Sequence, residues 1–317
     1  MAVLHVVSGR DLLICEACRH VFWREMPGDD ELRVFYAGSY TAEHDQITQQ
    51  EQNTAYYRAH VAELAGLVSR PTKDLTFVDV GCSYPVFLAQ AAEAGVRGVL
   101  GVDWSPEARD YGLRHGVDVI RPDEVEVRVP DRSVDVLRYS HTLEHLIDPV
   151  GVLAQHLPKL APGGVLYVTQ PCIPVLRFAE SPAPPHDAVW PTHLHFFSPL
   201  SMLTLMRQFG LEVERFFTVT DEELARERYG VAHAVEDARE TLVSLEGKGD
   251  PSRGSLNNFP FFTGQNLAIY ARRPYEPVTP AGRDGKDQSP TRRRSGLRHL
   301  VVDSIARLLR NPTPPRM

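Results

Sequence analysis

From Leu75 to Arg272 the chain alternates short apolar runs with stretches of helical spacing, and this alternation constrains the fold more than any other feature. TFVDV, GVLGVD, VDVL and VLYVTQ read as buried strands, and helical segments lie near 86–94, 106–115, 149–160 and 199–209. Strands and helices alternating at this spacing need crossover connections, which predicts a mostly parallel sheet with helices on both faces. Two later strands, near 211–219 and 266–272, close a sheet of seven.

The flanks are of different composition. Residues 1–45 hold short alternating runs (VLHVV, DLLIC, HVFW) that predict a small β hairpin region, and Tyr57, Val61, Leu64 and Val68 predict a helix within 46–70. Residues 46–275 then form the main domain, with an insertion at 221–264. There Val231, Val235, Ala238, Leu242 and Leu245 fall at helical spacing. Residues 276–317 read as a flexible tail with a short amphipathic helix, LRHLVVDSIARLLR. The net charge is −7, yet from Pro277 onward nine Lys/Arg face three Asp/Glu, so the body is acidic and the tail basic. An acidic body argues against a nucleic-acid partner. The tail, with Arg292, Arg293 and Arg294, could contact a partner protein or a membrane surface. No apolar run approaches the roughly 20 residues of a membrane helix. MAVLHVVSGR lacks the pattern of a secretory signal, so a cytoplasmic protein with reduced thiols is expected.

Chemistry concentrates after the first strand of the main domain. FVDVGCSYPVFLAQAAEAG is a strand, a sharp turn and a helix, where Gly81 lets backbone approach a ligand and the helix start offers free N–H groups. GVLGVDWSPEA ends a second strand at Asp103, an acid placed to accept both hydroxyls of a ribose, and Ser105-Pro106 make a helix start. These two signals together specify a nucleoside-containing cofactor, with a nicotinamide dinucleotide still open.

The stretches that follow, DEVEVRVPDRSVDVLRYSHTLEHLIDP, LAPGGVLYVTQP and HLHFFSPLSMLTLMRQFGLEV, resemble the class I methyltransferases that use S-adenosylmethionine. The resemblance runs over about 60–275, in order, and implies a Rossmann-like fold. It places Asp79, Gly81 and Cys82 at the methionine part of the cofactor, Asp103 at the ribose, and Trp104 and Asp123 at the adenine. Ser140 and His141 would face the sulfonium and the acceptor. The alternative for Asp79 and Asp135 is that they cap strand ends. The family's first loop usually carries a second glycine, whereas here Tyr84-Pro85 follows Gly81-Cys82-Ser83. Pro85 removes an N–H donor. A methyltransferase-like binding or scaffold protein without catalysis is therefore the second hypothesis.

Methyl transfer from a sulfonium needs alignment, exclusion of water and, for an oxygen or nitrogen acceptor, a general base. The candidates are His141, Glu144, His145 and His193, with His195 a further candidate that could equally be a packing residue. Glu144 and His145 have a structural alternative, capping the helix that starts near Pro149. LICEACRHVFW followed by VFYAGSY resembles half of the zinc module of sugar C-methyltransferases, with Tyr36 and Tyr40 in a lid. The module's first C-x-x-C is absent, leaving only Cys15 and Cys18, so zinc is not expected and no metal ligands are assigned. The expected function is methyl transfer to a small-molecule acceptor, a sugar or another biosynthetic intermediate.

Overall fold

A computed structural model describes residues 1–7, 9–28, 30–32, 34, 35, 51, 53–171, 191–219, 231–233 and 266–274. The chain opens with an antiparallel meander, β1 (Ala2–Val7), β2 (Arg10–Ile14) and β3 (Val21–Trp23). The main body follows as α1 (Thr54–Leu67), β4 (Thr76–Val80), α2 (Val86–Glu93), β5 (Gly98–Val102), α3 (Pro106–Arg114) and β6 (Asp118–Ile120). Next come α4 (Val125–Arg128), β7 (Val134–Ser140), α5 (Pro149–His156), β8 (Leu160–Pro171) and β9 (His195–Phe196). The described elements end with α6 (Pro199–Gln208), β10 (Glu212–Val219), β11 (Val231–His233) and β12 (Asn266–Arg272).

The main sheet runs β11-β10-β12-β8-β7-β4-β5-β6. The five strands from β8 to β6 are parallel, and β12 is antiparallel to both β8 and β10. The expected Rossmann-like sheet of seven is therefore present, with one strand reversed. An eighth, β11, pairs antiparallel with β10 through Thr218↔Val231, Phe217↔Ala232 and Phe216↔His233. This corrects the helical reading of Val231. The outer edge of β10 offers unpaired backbone groups, and three extended residues satisfy them. The rest of the 221–264 insertion, the tail from 276 on, and Tyr36 and Tyr40 lie outside the described residues.

The period of two divides the core. Val78, Val80, Leu137, Tyr139, Leu166 and Val168 face one side, against Leu153 of α5 and Met202, Leu205 and Met206 of α6. Phe77, Val136, Val165, Tyr167 and Tyr270 face the other, against Val61 and Leu64 of α1 and Phe87, Leu88 and Ala91 of α2. Each large side chain fully buried here contributes about 1.5–3 kcal/mol. Among the described residues no helix is long and apolar enough to cross a membrane.

The N-terminal sheet is completed from far along the chain. β9 pairs with β3 through Val21↔Phe196 and Phe22↔His195, making the order β1-β2-β3-β9. Leu12, Ile14, Val21, Trp23, Leu194 and Phe196 form one apolar cluster beneath it. The turn between β2 and β3 holds Cys15 and Cys18, and among the described residues no third His, Cys, Asp or Glu ligand atom joins them.

His195 is buried at this joint, in keeping with the packing alternative of its two readings. Its Nε2 lies 3.3 Å from the Ile147 carbonyl, which can only accept, so that nitrogen carries the hydrogen. Nδ1 then accepts from His20 Nε2–H at 3.0 Å. Burial holds the His195 imidazole down at about 4, with Asp148 pulling weakly upward, and holds His20 well below the usual range. A depressed histidine leaves the unfolded chain binding more protons between about pH 6.5 and 4, so this stabilisation is complete above pH 6.5 and is lost on acidification. We expect His195 to account for roughly 2 kcal/mol of stability lost between pH 7 and pH 5. Urea unfolding at both pH values measures it. His195→Gln, which keeps a donor toward Ile147, should remove that share and leave the parts due to His20 and to His156, the latter also held at about 4 by burial. An undiminished pH dependence in the variant would contradict this account.

Candidate active site

The C-terminal ends of β4, β5 and β7 meet at one edge, and the residues around them are tied together by a buried charge pair. Asp79 and Arg138 are register partners on adjacent parallel strands. Arg138 Nη1 lies 2.9 and 2.7 Å from the two Asp79 oxygens, with both residues buried. Burial pushes the Asp79 carboxyl up and Arg138 opposes it; Asp79 in turn raises Arg138 against the pull of burial. The guanidinium also lies 4.4 Å from the Phe87 ring centroid, a cation–π contact at the start of α2. Asp79 thus faces Arg138 within the layer beneath α2. Asp135, the other acid of these strands, accepts from Arg70 and from the Thr76 N–H, which ties the lower end of the sheet.

The first loop is built on Gly81. Its φ is +70°, and an added Cβ would stand 2.5 Å from Thr142 Oγ1, so a side chain is excluded on both counts. Thr142 in turn donates to the Val80 carbonyl at 2.9 Å, joining the loops after β4 and β7. Cys82 points its thiol into the core under Gly101, where burial raises its pKa well above the thiol range. Ser83 is left-handed at φ +47°, and its N–H donates to Asp103 at 2.8 Å. Tyr84 packs inward with Val86 and Tyr111. Pro85 directly precedes α2, a position that demands no N–H from it.

Asp103 follows β5 and accepts one backbone hydrogen bond on each oxygen, from Ser83 and from Ser105. Burial raises its pKa, and those N–H groups oppose the rise. A carboxylate has about four acceptor sites, so two remain for hydroxyl donors. Ser105 caps α3 as expected, accepting from Ala108 N at 3.1 Å. Trp104 is 63% exposed, with the Arg121 guanidinium 5.2 Å from its ring centroid. Asp123 lies beyond β6, and Arg121 holds both its oxygens, at 3.0 and 2.6 Å. An exposed indole face, a ribose-type carboxylate and a second acid on the neighbouring strand end are a donor and acceptor set that fits a nucleoside.

The other half of the site follows β7. Ser140 ends the strand, and His141 takes a left-handed φ of +52°, its N–H donating to the Thr169 carbonyl. Non-glycine residues in that region cost about 1–3 kcal/mol and cluster at functional sites. Glu144 and His145 sit on the single turn Leu143–His145. Their capping alternative does not apply, because the cap of α5 is Asp148, which accepts from Gly151 N at 2.8 Å. Glu144 is 2% exposed, and among the described residues neither carboxylate oxygen has a hydrogen-bond partner. His141 Nδ1 lies 3.6 Å and His145 Nε2 3.8 Å from its Oε1. Burial would raise the Glu144 carboxyl, but these two histidines outweigh it and hold the pKa below the ordinary value.

His193 joins the cluster from the segment before β9, its ring centroid 4.9 Å from that of His145. The segment is fixed by Leu194 N donating to the Glu144 carbonyl at 2.7 Å and by Trp23 Nε1 donating to the His193 carbonyl at 2.8 Å. Four of the sequence candidates, His141, Glu144, His145 and His193, are therefore brought together, apart from Asp103, Trp104 and Asp123. Sequence reasoning missed Arg138, Thr142, Ser83 and Arg121. Arg138 did leave a signal, the one basic residue inside the strand VDVLRYS.

The buried pair makes a stability prediction. Arg138→Met leaves Asp79 buried without a counter-charge and is expected to cost about 3–5 kcal/mol, whereas Asp79→Leu with Arg138→Met should recover most of it. Denaturant melts of the three proteins measure this, and a single variant within about 1 kcal/mol of the parent would show that the pair does not hold the strands.

A family model described as a methyltransferase domain matches residues 49–215, just over half of the chain. Aklanonic acid methyltransferase DauC of Streptomyces sp. (strain C5) is 30% identical over 179 residues, which are 53% of this chain and 78% of that relative. Among solved structures, an S-adenosylmethionine-dependent methyltransferase from Mesorhizobium loti is 21% identical, covering 67% of this chain and 96% of its own, with a TM-score of 0.44. Another from Archaeoglobus fulgidus is 20% identical, covering 70% and 94%, with a TM-score of 0.46. The extent of the family match and the identity to the curated relative decide the family: the chain belongs to the class I S-adenosylmethionine-dependent methyltransferases.

Proposed function

We propose that this enzyme methylates an oxygen or nitrogen of a small polar organic molecule, a sugar or another biosynthetic intermediate. The observation that carries the reading is the cluster of Glu144, His141, His145 and His193 at the end of β7, beside the nucleoside-fitting set. S-adenosylmethionine, when bound, supplies an electrophilic methyl group on a positively charged sulfur. Asp103 holds the ribose hydroxyls through its remaining acceptor sites, Trp104 lies against the adenine ring, and Asp123 accepts from the adenine amine. Gly81, Cys82 and Ser140 approach the methionine part through backbone. Asp79 is a positioning residue that acts through Arg138 to hold the first loop in place.

On the acceptor side the histidines take the proton that a hydroxyl or amine gives up. Imidazole is the side-chain group best suited to accepting such a proton. His193 and His141 face the acceptor, and Glu144 orients the histidines. The curated relative is named for aklanonic acid, a small organic acid, which supports a small-molecule acceptor here. The acidic body supports the same choice over nucleic acid.

Two substitutions separate the two halves of the site. Asp103→Ala is expected to weaken S-adenosylhomocysteine binding about 10- to 100-fold in calorimetry, the worth of hydrogen bonds to a charged group. His193→Ala should leave that binding intact and lower turnover by about 100-fold, read as S-adenosylhomocysteine release over a panel of hydroxylated acids and sugar nucleotides. Loss of cofactor binding in His193→Ala would overturn its acceptor-side role.

A further inference from the structure

The buried Glu144 carboxylate makes no hydrogen bond among the described residues. An ionised carboxylate withdrawn from water without a hydrogen bond is costly, and its neighbours compensate only at 3.6 and 3.8 Å. One ligand atom each from Glu144, His145 and His193 lie within 4.8 Å of one another. We infer that Glu144, His145 and His193 form a binding site for a divalent transition-metal cation of the zinc class, on the acceptor side of the methyltransferase centre.

Three features of the site argue for a cation. The first is the donor set: two imidazoles and one carboxylate suit zinc, cobalt, nickel, iron and manganese, whereas magnesium and calcium prefer all-oxygen shells. The second is the outer shell. His145 Nδ1 lies 2.8 Å from the Thr192 carbonyl, so Nδ1 carries the hydrogen and the Nε2 lone pair faces Glu144. Metal-ligating histidines are held by this kind of backbone bond. The third is support from the main chain, since the Leu194 N to Glu144 O bond fixes the two ligand-bearing segments side by side.

The spacing is close to what a metal needs. Bonds of 2.0–2.2 Å in a tetrahedral centre put ligand atoms about 3.3–3.6 Å apart. The His145 to Glu144 separation of 3.8 Å is within a small side-chain rotation of that value. Three protein ligands leave a coordination position open, and His145 and His193 are only half-buried. An acceptor oxygen bound there is held in place and made more acidic, with the exposed His141 beside it to take the proton. This catalytic use rests on the function proposed above, whereas cation binding itself does not.

The test is Co2+ added alone to chelator-treated full-length protein, followed by visible ligand-field absorption, with Zn2+ as competitor. The inference predicts one equivalent of bound Co2+, displaced by Zn2+, without a thiolate charge-transfer band. Glu144→Gln and His193→Ala should each weaken binding by at least about tenfold, while Cys15→Ser with Cys18→Ser leaves it unchanged. His145→Asn, which keeps a donor toward Thr192, is the further variant should Glu144→Gln fail to fold. No absorption at about millimolar Co2+, bands that persist in the ligand variants, or bands abolished by the cysteine substitutions would each overturn the site. S-adenosylhomocysteine titrated into the same samples reads the cofactor half separately. Its binding without Co2+ bands removes the metal site alone, and Co2+ bands without its binding remove the cofactor assignment alone.

Discussion

The pairing of Asp79 with Arg138 is the interaction on which the rest of this site depends. It lies on one row across the sheet, Gly101, Asp79, Arg138, Tyr167 and Tyr270, each a register partner of the next. Because β4 and β7 are parallel, fixing their register also fixes where both strands end. Gly81 and Thr142 then come close enough to exclude a Cβ, and the cofactor loop and the His141–His145 loop open at the same edge. A slip of one residue would turn Asp79 and Arg138 to the α5–α6 face and separate those loops.

The proposed acceptor side depends on a second, longer-range arrangement. Its histidine-bearing segment is held by the Trp23 indole, by pairing of β9 with β3, and by the His20–His195 contact. The small N-terminal sheet is therefore part of the site's framework. The hairpin that carries Cys15 and Cys18 thus has a structural role, since it holds the segment that bears His193.

Much of this was legible in the sequence. The strands β4, β5, β7 and β8 and the helices α2, α3 and α5 followed from apolar runs punctuated by Gly and Pro, whereas the short β6 and α4 were not read. Ser105-Pro106 marked a helix start by side-chain chemistry alone. The four acceptor-side residues were named because they sit at strand ends in SHTLEH and THLHFF. What could not be read depends on register between distant segments. The partner of Asp79 lies 59 residues away, and β9 is a two-residue strand whose partner is near residue 21. Val231 fell at a spacing that suits a helix, but the unpaired edge of β10 decided its conformation.

The central claim is that cofactor and acceptor chemistry meet at the ends of β4, β5 and β7. Hydrogen–deuterium exchange with and without S-adenosylhomocysteine tests it most directly. The account predicts new protection confined to 81–84, 103–105 and 140–145, with the backbone of β1 and β2 unchanged. Protection centred elsewhere, or none in these three segments at saturating ligand, would contradict it.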